Sequence, residues 1–239
     1  VMLGLRKYIC SQFKPNVAKA LYDLFKAKNI MDFSMGWGDR LAGFFASQNT
    51  ELYVGVDPRK ENHPIYREQA DYYEGQLTMF ETMKKVDFYC EAAEDFYYDG
   101  YEDTFDIIFT SPPYFNVERY SHDDNQSWVR YKDIDNWNTQ FLQKALDNML
   151  PTLRSGGKLC INISDVYSPS AGKKAWSKIC DPMNEFLDEY TDMEYKGCIG
   201  MEMAKRPNSG GAGTAKDTKQ YTEESLQLAK ETKNKRFCE

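Results

Sequence analysis

Thr104-Phe105-Asp106-Ile107-Ile108-Phe109-Thr110-Ser111-Pro112-Pro113-Tyr114 is the stretch that decides the fold. Its first seven residues are rich in β-branched and aromatic side chains, the composition of a buried strand in a parallel sheet. The two prolines cannot donate to a ladder and each fixes its own φ, so the strand stops there. Ser111 and Pro112 each precede a proline and are pushed toward extended backbone. A stiff turn therefore sits at the carboxyl end of a strand, where open α/β sheets bind ligands. Its serine hydroxyl, free carbonyls and aromatic ring suit a planar group that bears an amine. The same four residues also fit a tight loop with Tyr114 packed as core.

Upstream, residues 30 to 41 read Ile-Met-Asp-Phe-Ser-Met-Gly-Trp-Gly-Asp-Arg-Leu. An apolar strand runs into Asp32, then a glycine turn, then a helical pattern through Leu41 and Phe45. Gly36 and Gly38 allow tight backbone geometry and close ligand approach. The loop has neither the full dinucleotide fingerprint nor the Lys-Ser/Thr of a phosphate loop. Leu52-Tyr53-Val54-Gly55-Val56-Asp57 is a second strand ending in an acid, 19 residues after Gly38. An acid there can accept hydrogen bonds from both hydroxyls of a ribose.

These three stretches together resemble the class I S-adenosylmethionine-dependent methyltransferases. More narrowly, they look like the amino-methyltransferases that act on exocyclic nitrogens of nucleic-acid bases. That family's signature is a Ser, Asp or Asn followed by Pro-Pro and an aromatic residue, as in Ser111, Pro112, Pro113 and Tyr114. Its cofactor loop matches Asp32 to Gly38, with Ser34 where a first glycine is commonest. Asp57 matches the ribose-binding acid. Ser11-Gln12-Phe13-Lys14-Pro15 is similar to the N-terminal segment that covers the methionine end of the cofactor. The resemblance runs from about residue 9 to about residue 166.

The resemblance implies a Rossmann-like α/β fold, with a mostly parallel sheet of the seven-stranded type and helices on both faces. It implies S-adenosylmethionine as cofactor and DNA, presented as a flipped or single-stranded base, as partner. Ser111, Pro112, Pro113 and Tyr114 are the expected catalytic turn. Phe13, Pro15, Asp32, Ser34, Gly36, Gly38, Asp57, Ala93 and Glu94 are the expected cofactor residues. Asp32 is placed either at the methionine moiety or as a cap of the following helix. Ala92 stands where an acid is frequent, so Glu94 or Glu91 is the substitute for that contact, or is simply solvated. Serine at the first motif position is more similar to the cytosine-N4 members; Asp or Asn is commoner for adenine N6. The alternatives are an RNA or protein-glutamine methyltransferase, or a cofactor-binding module without turnover. Against the glutamine enzymes stands Ser111, since Asn-Pro-Pro-Tyr fits them better.

The chain has 239 residues, enough to bury the core of one domain, and a single catalytic domain is expected. No apolar run approaches the length of a membrane span, and no signal peptide opens the sequence. Six scattered cysteines without a Cys-x-x-Cys pair, and two histidines, argue against a zinc site or disulfide framework. A reducing cytoplasm is expected, bacterial or phage-infected, with methylation of the restriction-modification or phage type. The net charge of −7 runs against a basic footprint for nucleic acid. The charge is uneven: residues 51–110 hold 15 acids and 5 bases, while residues 1–30 hold 6 bases and one acid. Residues 196–239 hold 9 bases and 6 acids, so a basic face built from the two ends is one reading and ordinary solvated faces the other.

The pattern predicts helices over 16–28, 66–84, 137–153 and 175–189, and strands over 29–33, 52–57, 86–90, 105–110 and 158–163. Ser155-Gly156-Gly157 is expected to end the 137–153 helix. Residues 115–136 and 201–220 read as substrate-side loops, and 222–234 as a polar helix. No large target-recognition domain lies between the motifs. That suggests short-site recognition or a missing C-terminal portion, since Arg236-Phe237-Cys238-Glu239 reads as a strand cut short; a homodimer or a recognition subunit is the further expected partner.

Overall fold

The computed structural model describes residues 13–77, 83–168, 175–189 and 193–200. The expectations for Ser11-Gln12, for 201–220, for 222–234 and for 236–239 lie outside them. Contacts divide the chain into two compact units, Val1–Tyr190 and Thr191–Glu239. In the second, the described residues 193–200 carry no helix or strand.

Helix α1 (Pro15–Leu24) begins with proline in its first turn, where the missing N–H is no loss. It stops at Leu24, short of the predicted end, because Lys26 turns back at φ 51°. Strand β1 (Asn29–Asp32) follows, then α2 (Asp39–Ala46) and β2 (Leu52–Val56). A Cβ on Gly43 would lie 2.6 Å from the Ala18 Cβ and 2.8 Å from the Pro15 carbonyl, so glycine is what lets α2 press against α1. Helix α3 (His63–Glu74) ends ten residues before the sequence pattern suggested, at the Gly75 turn. Strands β3 (Lys85–Tyr89) and β4 (Phe105–Thr110) come next.

All six residues of β4 are buried, including Asp106. That acid accepts from the Lys28 and Asn29 backbone N–H groups at 2.7 and 2.8 Å and pairs with Arg154 at 2.6 Å. It ties β4 to the start of β1, which explains an acid inside an apolar run.

After β4, the 115–136 segment holds a short helical stretch, α4 (Ser127–Arg130). Helix α5 (134–149) runs through Ile134–Asn136, a π segment at Trp137–Gln143 and Lys144–Met149. Strand β5 spans Leu153–Ile161, so Ser155-Gly156-Gly157 does not end the helix. It forms an irregularity inside the strand: Phe105 pairs with Leu153 and Ile107 with Lys158, and Gly156 takes φ 76°. Residues 175–177 are likewise strand rather than helix. They form β7 (Ala175–Ser177), paired antiparallel with β6 (Val166–Ser168), and α6 begins at Cys180 and runs to Asp188.

The main sheet has five strands in the order β3-β2-β1-β4-β5, all parallel, and the β6-β7 pair stands apart from it. The expected seven-stranded sheet is thus five strands plus a separate pair among the described residues. From β1 the chain winds outward through β2 to β3, then returns to β4 and winds the other way. Right-handed crossovers in opposite directions put the helices on opposite faces. The reversal lies between β1 and β4, and a ligand crevice opens outside the carboxyl ends there. No described helix is long and apolar enough to cross a membrane.

Candidate active site

One cleft opens at that reversal. Ser34, Gly36, Asp57, Ala93, Glu94, Ser111 and Pro113, all picked out from sequence, line it together. They come from the ends of β1, β2 and β4 and from the turn after β3, elements far apart in sequence and joined only by the sheet order. Pro112 is buried behind the lining, and Tyr114 is half-buried beside it.

Asp57 ends β2. Its Oδ2 accepts from the Gly36 N–H and its Oδ1 from the Arg59 N–H, both at 3.0 Å. Burial pushes its pKa up to about 6, against the lowering effect of those two bonds and of His63. Each oxygen keeps a lone pair for a further donor. Gly36 sits at φ 59°, and a Cβ there would meet no protein atom within 4 Å. Backbone conformation, rather than crowding within the chain, demands this glycine.

Asp32 does something else. It is fully buried and accepts from Arg40 through both oxygens, at 2.7 and 3.2 Å, from the Tyr53 hydroxyl at 2.6 Å and from the Ser34 N–H at 3.2 Å. Arg40 also donates to the Ser34 carbonyl. Asp32 and Arg40 thus brace the glycine loop from beneath; neither lines the cleft, and the position before α2 is held by Gly38. Gly38 at φ 80° packs against the Gln69 amide rather than the cleft. Phe13 lies under the same loop, its ring 5.5 Å from Phe109 and 5.5 Å from the Arg40 guanidinium, with its N–H on Asp39. Pro15 starts α1 and does not reach the cleft.

At the motif turn, Ser111 Oγ accepts from Asn162 Nδ2 at 3.1 Å and donates to the Asn162 carbonyl at 3.3 Å. Asn162 follows β5, so the neighbouring strand aims the serine. Burial raises the pKa of the Tyr114 hydroxyl and nearby Glu118 adds to the rise, while the neighbouring Ser111 side chain lowers it. Glu118 accepts from the Tyr114 N–H at 3.3 Å. Phe115 sits at φ 46°, rare for an aromatic residue, with its ring 6.1 Å from buried Trp137.

Glu94 is 1% exposed and accepts from Arg130 at 3.0 Å and Tyr131 at 3.2 Å; burial raises its pKa. Its carboxylate ties the 115–136 segment to the turn after β3. Asn62 and Tyr66 both donate to the Gly36 carbonyl, at 2.9 and 2.6 Å. The 115–136 segment closes the cleft with Tyr120, Asn125, Gln126 and Ser127, and the π segment contributes Phe141. Sequence reading did not single out Arg40, Asn62, Asn125, Gln126 or Asn162. Asn62, Asn125 and Asn162 act through partners 26, 67 and 51 residues away, so no local spacing marks them. No cluster able to hold a metal ion occurs among the described residues.

A doubly wound parallel sheet, an acid ending β2 and a Ser-Pro-Pro-Tyr turn in one cleft define a class I S-adenosylmethionine-dependent methyltransferase. The chain belongs to the N6/N4 DNA methylase family: the family described as DNA methylase matches residues 105–237, more than half of the sequence. That match begins at β4 and contains the Ser-Pro-Pro-Tyr turn. No curated protein sequence matches the chain. Solved structures are similar at low identity. The cyclase SpnF is 16% identical over 76% of this chain and 60% of its own, with a TM-score of 0.46. A Staphylococcus aureus protein described as a caffeoyl-CoA O-methyltransferase is 13% identical over 78% and 79%, with a TM-score of 0.44. A methyltransferase from Clostridium acetobutylicum is 11% identical over 69% of this chain and 53% of its own, with a TM-score of 0.41. Identities this low say nothing of shared chemistry.

Proposed function

We propose that this chain transfers a methyl group from S-adenosylmethionine to the exocyclic amine of a DNA base, with cytosine N4 favoured over adenine N6. One observation carries the reading: the Ser111–Tyr114 turn and the buried acid Asp57 open into the same cleft. The chain's groups fit the cofactor. Asp57 offers two acceptor oxygens in a dry setting, suited to paired ribose hydroxyls. Ser34 and Gly36 form the loop beside them, and Ala93 and Glu94 line the same cleft. Phe13, Pro15, Asp32 and Gly38 act indirectly, by holding the loop.

Bound there, the cofactor supplies an electrophilic sulfonium methyl. The chain's own work is positioning and charge stabilisation. Ser111 Oγ and the Pro112 carbonyl accept from the two amino protons, freeing the nitrogen lone pair and aiming it. Pro112 and Pro113 keep that carbonyl fixed. Tyr114 stacks on the base, which must leave a duplex at a cost of a few kcal/mol; stacking returns roughly 1–3 kcal/mol. The cytosine preference rests on Ser111. Residues 115–136 serve as a substrate-side loop of the catalytic unit. A second copy or a recognition subunit adds basic surface to a chain whose net charge is −7. A reducing, cytoplasmic setting suits the described cysteines, which are all free thiols.

The test is nucleoside mass spectrometry of DNA and RNA incubated with the chain and isotopically labelled cofactor. Label in N4-methylcytosine from DNA is expected. Label in N6-methyladenine alone overturns the base preference, and label in RNA alone overturns the polymer. No labelled nucleoside, together with no calorimetric binding of cofactor, overturns the whole reading.

A further inference from the structure

We infer that Arg119 and Lys132, both held on the ring of Trp128, form a phosphate-binding site that grips the backbone of a DNA strand beside the target base. That assignment rests on the DNA substrate proposed above.

The segment between β4 and α5 closes the cleft, and Trp128 stands within it, directly after the cleft-lining Ser127. Its indole N–H donates to the Ser121 carbonyl at 2.9 Å, and the His122 ring packs edge-on against it at 5.1 Å. Those contacts fix the ring. Two cations lie over it. The Arg119 guanidinium and the Lys132 ammonium are each 5.1 Å from its centre, so the two charges are neighbours. Arg119 directly precedes Tyr120, which lines the cleft.

Both cations are exposed, and their partners are neutral. Arg119 Nε donates to the Asn116 carbonyl at 3.2 Å, and Lys132 Nζ to the Trp128 carbonyl at 3.3 Å. Among the described residues, neither forms an ion pair with a carboxylate. The nearby acids are engaged elsewhere or pair with neither. Glu118 accepts from the Tyr114 N–H at 3.3 Å, Asp123 from Ser121 Oγ at 2.9 Å and Asp133 from the Asn136 N–H at 2.9 Å.

A salt bridge fixes a cation and cancels its field, as Glu94 does for Arg130 and Asp165 for Lys178. A ring face and a carbonyl fix a cation and leave its net charge to an anion from outside. Arg119 offers a planar fork for two phosphate oxygens, and Lys132 adds a point charge next to it. A phosphate received there also relieves the repulsion between the two cations. Neither residue is placed to read a base, so the site positions a strand and carries no sequence information. The net charge of −7 gives no overall attraction for a polyanion. A fixed pair of cations on the segment that closes the cleft supplies it locally.

Fluorescence anisotropy of a labelled single-stranded DNA oligonucleotide, titrated with the full chain between about 50 and 200 mM salt, tests this. Each phosphate contact on a single strand adds about 0.7 to the slope of log affinity against log salt. Arg119→Gln and Lys132→Gln should each lower that slope by about 0.7 and the double variant by about 1.4, so its affinity gap to wild type narrows as salt rises. Trp128→Leu keeps both charges and frees them from the ring. Binding should then weaken by about threefold or more at every salt concentration, with the slope near its wild-type value. Calorimetric binding of S-adenosylhomocysteine should be unchanged in the charge variants. A double variant that binds this ligand and keeps the wild-type slope overturns the inference and leaves the proposed function standing. A wild-type chain that binds the ligand but no DNA overturns the DNA substrate and this site together, even where an RNA oligonucleotide binds. If Trp128→Leu does not fold, the two charge variants decide alone.

Discussion

Ser111 and Tyr114 are coupled, and their variants should separate two roles. Asn162 takes the proton and one lone pair of Ser111 Oγ, leaving one lone pair for a substrate amine, and the Tyr114 hydroxyl lies near the same side chain. Ser111→Ala removes an acceptor whose bond strengthens as the amine gains positive charge, so kcat should fall more than KM rises. Tyr114→Ala should lower kcat and raise KM together, because the stacking face is lost. Tyr114→Phe keeps the face and loses only a hydroxyl, a change worth about 1 kcal/mol, so activity should drop by roughly tenfold or less. Steady-state kinetics on a DNA substrate checks all three; a Tyr114→Phe enzyme as inactive as Tyr114→Ala removes stacking from the mechanism. The Arg40–Asp32 pair makes the opposite kind of prediction, about stability. Both side chains are almost wholly buried, at 4% and 0% exposure. Arg40→Ala leaves a buried carboxylate without its cation, and urea unfolding should show a loss of about 3–5 kcal/mol. Arg40→Lys should recover only part of that, because an ammonium cannot grip both oxygens and the Ser34 carbonyl in one plane.

At the scale of elements, the turn after β4 stores strain. Phe115 at φ 46° is in a backbone region that favours glycine, and its ring on Trp137 keeps it there. Both Phe115→Ala and Phe115→Gly lose the ring. Glycine also releases the strain, so Phe115→Gly should be the more stable of the two by about 1 kcal/mol, the reverse of their usual order. Denaturant unfolding of the pair checks this; a more stable alanine variant would show that the conformation is not strained. The strands were the readable part of the sequence. The runs at 30–32, 52–56 and 105–110 are short, apolar and bounded by turn residues, and each is a strand of the parallel sheet. Helix ends were less readable. Nothing apolar distinguishes Glu74 from the residues after it, so the pattern ran past the true end of α3. Gly156-Gly157 resembles a helix stop, and only the pairing with β4 turns it into a strand irregularity. The same limit applied to the site. Asp57 and Ser111 announce themselves at strand ends. Asn125 and Asn162 are recognisable only once the sheet brings Pro58 and Ser111 to them.

For the whole molecule, the site runs against the stability of the fold that holds it. Asp57 is ionised at neutral pH only at a desolvation cost, as its pKa of about 6 against an ordinary 3.8 shows. A carboxyl group whose folded pKa is raised binds its proton more tightly when folded. Its share of stability therefore increases as pH falls from above 6 toward 4, by at most about 3 kcal/mol. Asp165 has the opposite sign: bonds from the Ile179 and Cys180 N–H groups and from Lys178 outweigh desolvation and lower its pKa to about 2. Its stabilisation is present above about pH 4 and is lost as pH falls through 2. As pH falls from 7.5 to 5, then, Asp57 costs the unliganded fold progressively less. Ligand binding should move the other way. Ribose hydroxyls need the carboxylate as acceptor, and with a pKa of about 6 only about a tenth of Asp57 is ionised at pH 5. The affinity for S-adenosylhomocysteine should fall roughly tenfold across that range, and the rise in Tm that the ligand produces should shrink with it. Asp57→Ala should weaken binding by about 1.5–3 kcal/mol at pH 7.5 and leave it nearly independent of pH. Melting curves with and without ligand at pH 7.5, 6.5, 5.5 and 5.0 read both trends at once. A ligand-induced Tm shift that stays constant over that range, in a wild-type chain that binds the ligand, would mean that Asp57 does not hold the ribose.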